Sequence, residues 1–209
     1  MAITSKIQWT DATWNIARGC TKVDDDCKFC YMYRESLNAT RYEPKKVVRT
    51  KTVFDLPLRI SEPSKIFTSS LTDFFHEDCD IFRDEAWEII KKCPHHTFQI
   101  LTKRPERIAN QLSEKWAREW AKGHFRNILM GTSVGSNGSI HRVRELIKAS
   151  LLIPIPKIFL SLEPLHGPVT LTDYYFKGMG FDHLRADQRT SRARAHAHCG
   201  NAGSWLGPR

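Results

Sequence analysis

The chain has 209 residues, of which 41% are hydrophobic and 26% are charged, the composition of a globular protein with a core of its own. No apolar run approaches the roughly 20 residues that cross a bilayer, and the first residues lack the apolar core of a secretory signal. The sequence therefore predicts a cytoplasmic protein with no membrane partner. In that reducing compartment, the six cysteines indicate metal ligation or core packing rather than disulfides.

The formal net charge of +9 points towards nucleic acid, because a basic surface gains from counterion release at a phosphate backbone. Much of this charge is concentrated at one end of the chain, however. Residues 174–209 hold six basic and two acidic side chains, a net charge of +4. The charge alone is therefore weak support for a nucleic-acid partner.

Short apolar runs alternate with segments of helical period along most of the chain. Strands are predicted over residues 13–18, 65–71, 97–102, 127–133 and 157–161. Three helices are predicted between them, with apolar faces formed by Phe82, Ala86, Ile89, Ile90 and Cys93, by Ile108, Leu112, Trp116 and Trp120, and by Ile140, Val143, Leu146 and Ile147. Alternation of this kind predicts an α/β fold with a parallel sheet, curled or closed, and right-handed crossovers.

Three cysteines follow the first predicted strand, at Cys20, Cys27 and Cys30. Thiolates are soft ligands that select zinc or iron–sulfur centres over hard cations. With three cysteines rather than four, an iron–sulfur cluster keeps one corner iron open to a small molecule. The alternative is a structural zinc knuckle that a histidine completes. The spacing alone does not decide between these two kinds of site.

Polar or charged side chains follow the other predicted strands. Asp73 follows the second strand, Lys103 and Arg104 follow the third, Ser133 ends the fourth, and Glu163 follows the fifth. Parallel βα folds place their chemistry at the carboxyl ends of the strands, where the cysteine loop is also expected. We therefore expect these side chains and the three thiols to share one edge of the sheet and to form a functional site. A solvated turn is the alternative for any one of them.

Six segments, in order over residues 3–170, carry recognisable motifs: WTDATWN at 9–15, GCT at 19–21, CKFCY at 27–31, LTDFFHED at 71–78, TFQILTKRPER at 97–107 and SLEPL at 161–165. They resemble the phage and bacterial gene product thirty-seven/sixty-eight family, which is similar to radical S-adenosylmethionine (SAM) enzymes. The resemblance implies a partial (β/α) barrel of radical-SAM type. It also implies a [4Fe–4S] cluster on Cys20, Cys27 and Cys30, with SAM on the fourth iron.

The activity that this resemblance implies is reductive cleavage of SAM, with an electron donor protein as partner. The substrate is unknown, either a small molecule or one derived from nucleic acid. The gap of six residues between Cys20 and Cys27 is longer than in most radical-SAM enzymes. The alternative function is a zinc-binding, nucleic-acid-binding protein of phage origin that uses the same cysteines and a histidine.

The resemblance also suggests roles for two aromatic residues beside the cluster. Phe29 occupies the position of the aromatic residue that precedes the third cysteine in many radical-SAM loops. Tyr31 is a candidate to stack on the adenine of SAM or to cover the cluster. Ser133 lies in the glycine-rich segment 131–138, which can offer backbone N–H groups to SAM.

Charged residues at the same edge are candidates for binding SAM or substrate. Asp73 and Glu163 are candidates for the ribose hydroxyls or the methionine amine, with loop salt bridges as the alternative. Lys103 and Arg104 are candidates for a carboxylate or phosphate, with pairing to Glu106 as the alternative.

Other possible ligands have simpler explanations. The segment 76–79 precedes a helix, whose first turn favours acidic residues. Cys93 lies on an apolar helix face and is predicted to be in the core. His95 and His96 are predicted to lie in a polar loop.

The pattern of strands and helices stops near residue 172. We therefore divide the chain into residues 1–173, the radical-SAM-like partial barrel with its cluster loop at 20–31, and an atypical basic tail, 174–209. From residue 177 onwards there is no Ile or Val, and the further strands that the family resemblance implies are absent. A shift of reading frame near residue 177 accounts for this, and a lineage-specific tail is the alternative. We expect this tail to be disordered and this copy of the enzyme, without its last strands, to be weak or inactive.

Overall fold

A β-sheet lies at the centre of the computed structural model, which describes residue 5, residues 7–33, residues 43–171 and the backbone of residues 196–199. Five strands are parallel, in the order β1 (Ala12–Trp14), β4 (Lys65–Thr68), β5 (Thr97–Thr102), β6 (Ile128–Ser133) and β7 (Lys157–Ser161). A sixth strand, β8 (His196–Cys199), pairs antiparallel with β7. Separately, β2 (Ala17–Arg18) and β3 (Val48–Arg49) form an antiparallel pair. The prediction of an α/β protein with a parallel sheet is confirmed.

Four helices connect the strands of the sheet in the described residues. They are α1 (Asp80–Lys92), α2 (Arg107–Asn110), α3 (Glu114–Ala121) and α4 (His141–Leu152). Residues 31–33 are also helical. Short 3-10 turns occur at Asp25–Cys27, Leu56–Arg59, Glu77–Cys79 and Asn137–Ser139. None of the helices in the described part of the chain is long and apolar enough to cross a membrane.

Two predicted strands are shorter than the sequence suggested. The strand predicted over 13–18 is divided, because the side chain of Asn15 accepts from the backbone N–H of Leu71 (2.7 Å) and the chain turns away from the sheet. The strand predicted over 65–71 ends at Thr68, because Ser69 has φ of 68° and leaves the extended conformation. Both changes occur where the strands reach the carboxyl edge of the sheet.

The second predicted helix is also divided, into α2 and α3. Ser113 between them has an extended ψ of 158°, which interrupts the helical hydrogen bonds. The apolar face was nevertheless predicted correctly, since Ile108, Trp116 and Trp120 are all buried.

A single hydrophobic cluster joins the sheet to the helices. Its centre includes the fully buried side chains of Trp14, Ile66, Phe98, Ile128 and Met130 from the strands. The predicted faces of α1 and α4 pack against it. Cys79 and Cys93 belong to this cluster, so the prediction that Cys93 is a core residue is confirmed.

The basic tail lies almost entirely outside the described residues. Only the backbone of β8 is described there, and it adds an antiparallel strand next to β7. The predictions of a frame shift and of disorder over residues 174–209 therefore stay predictions.

Candidate functional site

The carboxyl edge of the parallel sheet brings several of the predicted site residues together around the cysteine loop. Arg104, just after β5, is 4% exposed and lies between that loop and the segment that follows β4. Its Nη1 is 3.8 Å from the Sγ of Cys20 and 3.5 Å from Oδ2 of Asp73. Its Nη2 donates to the carbonyl oxygen (3.1 Å) and to the hydroxyl (2.9 Å) of Thr21. The loop and two strand ends are thus joined by one guanidinium group.

The thiol of Cys20 is mostly enclosed by this arrangement. Burial, followed by the negative charge of Asp73, raises the pKa of the Cys20 thiol to about 11, while Arg104 acts in the opposite direction. Without a bound cation, Cys20 is therefore a neutral thiol at physiological pH. Binding of a metal centre would displace its proton, since the thiolate is the metal ligand.

Asp73 links the ends of two neighbouring strands. Its Oδ1 accepts from the backbone N–H of Phe75 (2.9 Å) and from the hydroxyl of Thr102 (2.7 Å). Its Oδ2 accepts from the backbone N–H of Lys103 (2.8 Å). With these bonds and the Arg104 ion pair, this 5% exposed carboxylate has a structural role at the edge of the sheet.

His76 belongs to the same network, although the segment 76–79 was explained more simply as the start of a helix. Its Nδ1 accepts from the backbone N–H of Asp78 (3.1 Å), so the neutral ring carries its hydrogen on Nε2, which lies 2.9 Å from the hydroxyl of Thr21. Burial, followed by the positive charge of Arg104, lowers the pKa of His76. His76 therefore holds the residue after Cys20 as a neutral hydrogen-bond donor.

All three cysteines of the loop are close enough to Tyr33 to influence its hydroxyl. The Tyr33 hydroxyl donates to the carbonyl oxygen of Cys20 (2.5 Å). Burial and then the proximity of Cys20, Cys27 and Cys30 raise the pKa of Tyr33 to about 12. Cys27 is buried, whereas Cys20 and Cys30 are half-buried. Among the described residues, no three His, Cys, Asp or Glu side chains are arranged to hold a single metal ion.

The two aromatic residues of the loop lie at its surface. Phe29 is 60% exposed, and its ring centroid lies 5.9 Å from the ring centroid of His166. The Nζ of Lys28 lies 5.5 Å from the Phe29 ring centroid. Tyr31 is 46% exposed, and its hydroxyl donates to the carbonyl oxygen of Ser70, beyond the end of β4. These side chains form an aromatic border beside the thiols.

The remaining predicted residues differ in their exposure. Lys103 is half-buried and Glu163 is exposed, and a cis peptide bond joins Glu163 to Pro164. Ser133 is buried, and its carbonyl oxygen accepts from Nη1 of Arg142 (2.8 Å). Of these three side chains, that of Glu163 is the most exposed and that of Ser133 is buried.

The fold and site together define a mixed α/β protein with three thiols at the carboxyl edge of a parallel sheet. The chain belongs to the family described as "Protein of unknown function (DUF5131)", which matches residues 4–193. That description names neither an activity nor the gene products suggested by the motifs, so this part of the resemblance stays a prediction.

Comparison with other known proteins adds little to this assignment. No curated protein matches the chain. Among solved structures, a point mutant of spore photoproduct lyase is similar with a TM-score of 0.46 and 14% sequence identity, over 70% of this chain. The chain spans 44% of the length of that protein.

Proposed function

We propose that this protein is a radical-SAM-like iron–sulfur enzyme built on a partial (β/α) barrel. Cys20, Cys27 and Cys30 would hold a [4Fe–4S] cluster, and SAM would complete the fourth iron. The observation that carries the proposal is the position of the cysteine loop at the carboxyl edge of five parallel strands, where Arg104 contacts the sulfur of Cys20 and the backbone N–H of Gly135 donates to Asp26. Parallel βα folds have their active sites at this edge.

The donor set fits such a cluster in its chemistry. Cysteine thiolates are the ligands that hold iron–sulfur clusters in proteins, and three of them would leave one iron for SAM. Each cysteine of a cubane cluster binds a different iron, so the sulfurs need not converge on one point as the ligands of a zinc ion do. The absence of a single-ion site among the described residues is therefore compatible with a cluster. When bound, the cluster would supply the electron for reductive cleavage of the SAM on its fourth iron.

The residues around the thiols have roles that their contacts support. Arg104 donates to the sulfur of Cys20, and a donor to a ligand sulfur affects the potential of a cluster. The exposed rings of Phe29 and Tyr31 would offer a surface on which the adenine of SAM can stack. Lys103 and Glu163 remain the candidates for charged groups of SAM or substrate. The substrate, a small molecule or one derived from nucleic acid, and the electron donor protein are expectations from the family resemblance.

Metal analysis of protein purified without oxygen tests the proposal. About four irons per chain, with broad visible absorption, are expected. One colourless zinc per chain would instead support the zinc-binding alternative and overturn the proposal.

Single substitutions assign the ligands. Cys20→Ala, Cys27→Ala and Cys30→Ala are each expected to abolish iron binding, because a cluster with one open corner tolerates no further loss of a protein ligand. Cys93→Ala is the matched control, since Cys93 is buried in the core. Full iron content in any of the first three variants would refute the ligand assignment.

A further inference from the structure

A buried arginine on α4 binds the part of the loop that lies between the first two cysteines. Arg142 is 1% exposed, and its Nη1 donates to Oδ2 of Asp26 at 2.9 Å. Its Nη2 donates to Oδ2 of Asp24. The same Nη1 also donates to the carbonyl oxygen of Ser133 (2.8 Å), the last residue of β6. One side chain therefore connects the cysteine loop to both a strand end and a helix.

Asp26 makes a second contact with the same edge of the sheet. Its Oδ2 also accepts from the backbone N–H of Gly135 at 3.0 Å. A Cβ atom on Gly135 would lie 2.6 Å from Oδ1 of Asp26 and 2.7 Å from the carbonyl oxygen of Pro164. The absence of a side chain at residue 135 thus lets the Asp26 carboxylate reach the backbone after β6. Asp26 is itself only 4% exposed, which is unusual for a loop carboxylate.

We infer that the Arg142 contacts with Asp24 and Asp26 form a lock that fixes the cysteine loop before any cofactor binds, with Arg142 as its positioning residue. Both aspartates lie in the gap of six residues between Cys20 and Cys27, and Asp26 directly precedes Cys27. The long gap therefore has a function, since it supplies the carboxylates that anchor Cys27 to the sheet. The purpose of the lock rests on the proposed function, but its existence in the apoprotein does not.

Two neighbouring substitutions separate the lock from a general effect of charge. Asp26→Asn removes the buried negative charge that pairs with Arg142. Asp25→Asn removes a negative charge from an exposed residue in the same turn. In hydrogen–deuterium exchange of the apoprotein, Asp26→Asn is expected to accelerate exchange in residues 20–30 about tenfold, with β5 unchanged. Asp25→Asn is expected to match the wild type in both segments. Equal exchange of residues 20–30 in the two variants would overturn the lock.

Asp24→Asn serves if Asp26→Asn does not fold. The Asp24 side chain is 33% exposed, so its substitution is milder, and the amide oxygen still accepts from the backbone N–H of residue 26. Faster exchange of residues 20–30 in Asp24→Asn than in Asp25→Asn supports the lock. Exchange as slow as in Asp25→Asn contradicts it.

Iron uptake separates failure of the lock from failure of the proposed function. During reconstitution, the variants of Asp24 and Asp26 are expected to gain visible absorption several-fold more slowly than Asp25→Asn. If the wild type binds no iron while Asp26→Asn still accelerates hydrogen–deuterium exchange in residues 20–30, the proposed function is refuted and the lock is supported. If the wild type binds iron and neither aspartate variant accelerates exchange in residues 20–30, the proposed function is supported and the lock is refuted.

Discussion

The guanidinium group of Arg104 contacts the sulfur of Cys20 at 3.8 Å, although 84 positions separate the two residues along the chain. Through this contact, the turn after β5 holds the first cysteine of the loop. The contact also places a permanent positive charge next to a proposed cluster ligand, because arginine does not lose its proton in proteins.

Substitution of Arg104 is expected to lower the reduction potential of a bound cluster. Arg104→Gln removes a charged donor from the Cys20 sulfur, and such donors stabilise the more negative, reduced state. If that donor favours the reduced state by about 1 kcal/mol, the potential falls by about 40 mV in a redox titration followed by visible absorption. Asp73 keeps three other donors, so the strand ends stay joined.

Arg107→Gln is the matched control for this measurement. Arg107 lies near the same turn and, like Arg104, pairs with Glu77, but its other contacts are with Asp80 and the carbonyl oxygen of Phe75. The potential of this variant is expected to equal that of the wild type. Equal potentials for Arg104→Gln and Arg107→Gln would show that Arg104 does not influence the cluster.

Gly19→Ala is expected to destabilise the start of the cysteine loop. Gly19 has φ of 90°, and a Cβ atom there would lie 2.1 Å from the carbonyl oxygen of Lys46. Backbone strain and this overlap together are expected to cost about 2 kcal/mol or more in urea denaturation. Gly138→Ala is the control, because the nearest atom to its added Cβ would be 3.4 Å away. A cost below about 0.5 kcal/mol for Gly19→Ala would contradict the close approach.

Gly131→Ala tests the packing between β6 and β7. Gly131 is paired with Phe159, and a Cβ atom on Gly131 would lie 2.4 Å from the ring. Overpacking of this kind is expected to lower the free energy of unfolding by about 1–3 kcal/mol. In the background of Phe159→Ala the same substitution should cost little, which gives a large coupling energy in a double-mutant cycle. Additive effects of the two substitutions on the free energy of unfolding would show that the Phe159 ring does not exclude a side chain at residue 131.

His96 is expected to make the protein less stable in mild acid. Nδ1 of His96 accepts from the backbone N–H of Ser64 (3.2 Å), and Nε2 lies 3.1 Å from the carbonyl oxygen of Pro57. Burial lowers the pKa of His96 below its ordinary 6.5, with a smaller opposite effect from the Pro57 bond. The unfolded state therefore takes up the proton first, so stability is complete above about pH 6.5 and decreases as the pH falls below it.

A comparison of two histidine variants measures this effect. The melting temperature of His96→Gln is expected to change less between pH 7.5 and about pH 5.5 than that of the wild type. His95→Gln removes the ring whose centroid lies 3.9 Å from that of His96, and it is expected to weaken the pH dependence less than His96→Gln does. An unaltered pH dependence in His96→Gln would exclude His96 as its source.

Much of the fold could be predicted because the central strands are continuous apolar runs. The bounds predicted for β5 and β7 agree with the structure. The sequence could not show that Asn15 would bond to the chain after β4, and so it did not predict the division of the first strand. His95 and His96 lie in a turn, as predicted, but the His96 side chain is buried, and both its ring nitrogens lie within hydrogen-bonding distance of backbone groups.

Apart from the cysteine loop itself, the site could be predicted only where a strand end identified its residues. Asp73 and Arg104 were found in this way, and the structure places them together beside Cys20. Arg142 was missed because a charged residue within a helix ordinarily faces solvent. Its partners Asp24 and Asp26 lie more than 100 positions away, a distance at which no local pattern connects them.

The separation of 116 positions between Asp26 and Arg142 also has a consequence for synthesis of the protein. At roughly 5–20 residues per second, a ribosome needs on the order of ten seconds to add α4 after the loop has been made. Throughout that interval the nascent chain carries its thiols without the arginine that later encloses the loop. Oxidants and unrelated metals have their easiest access to these cysteines while translation is still in progress.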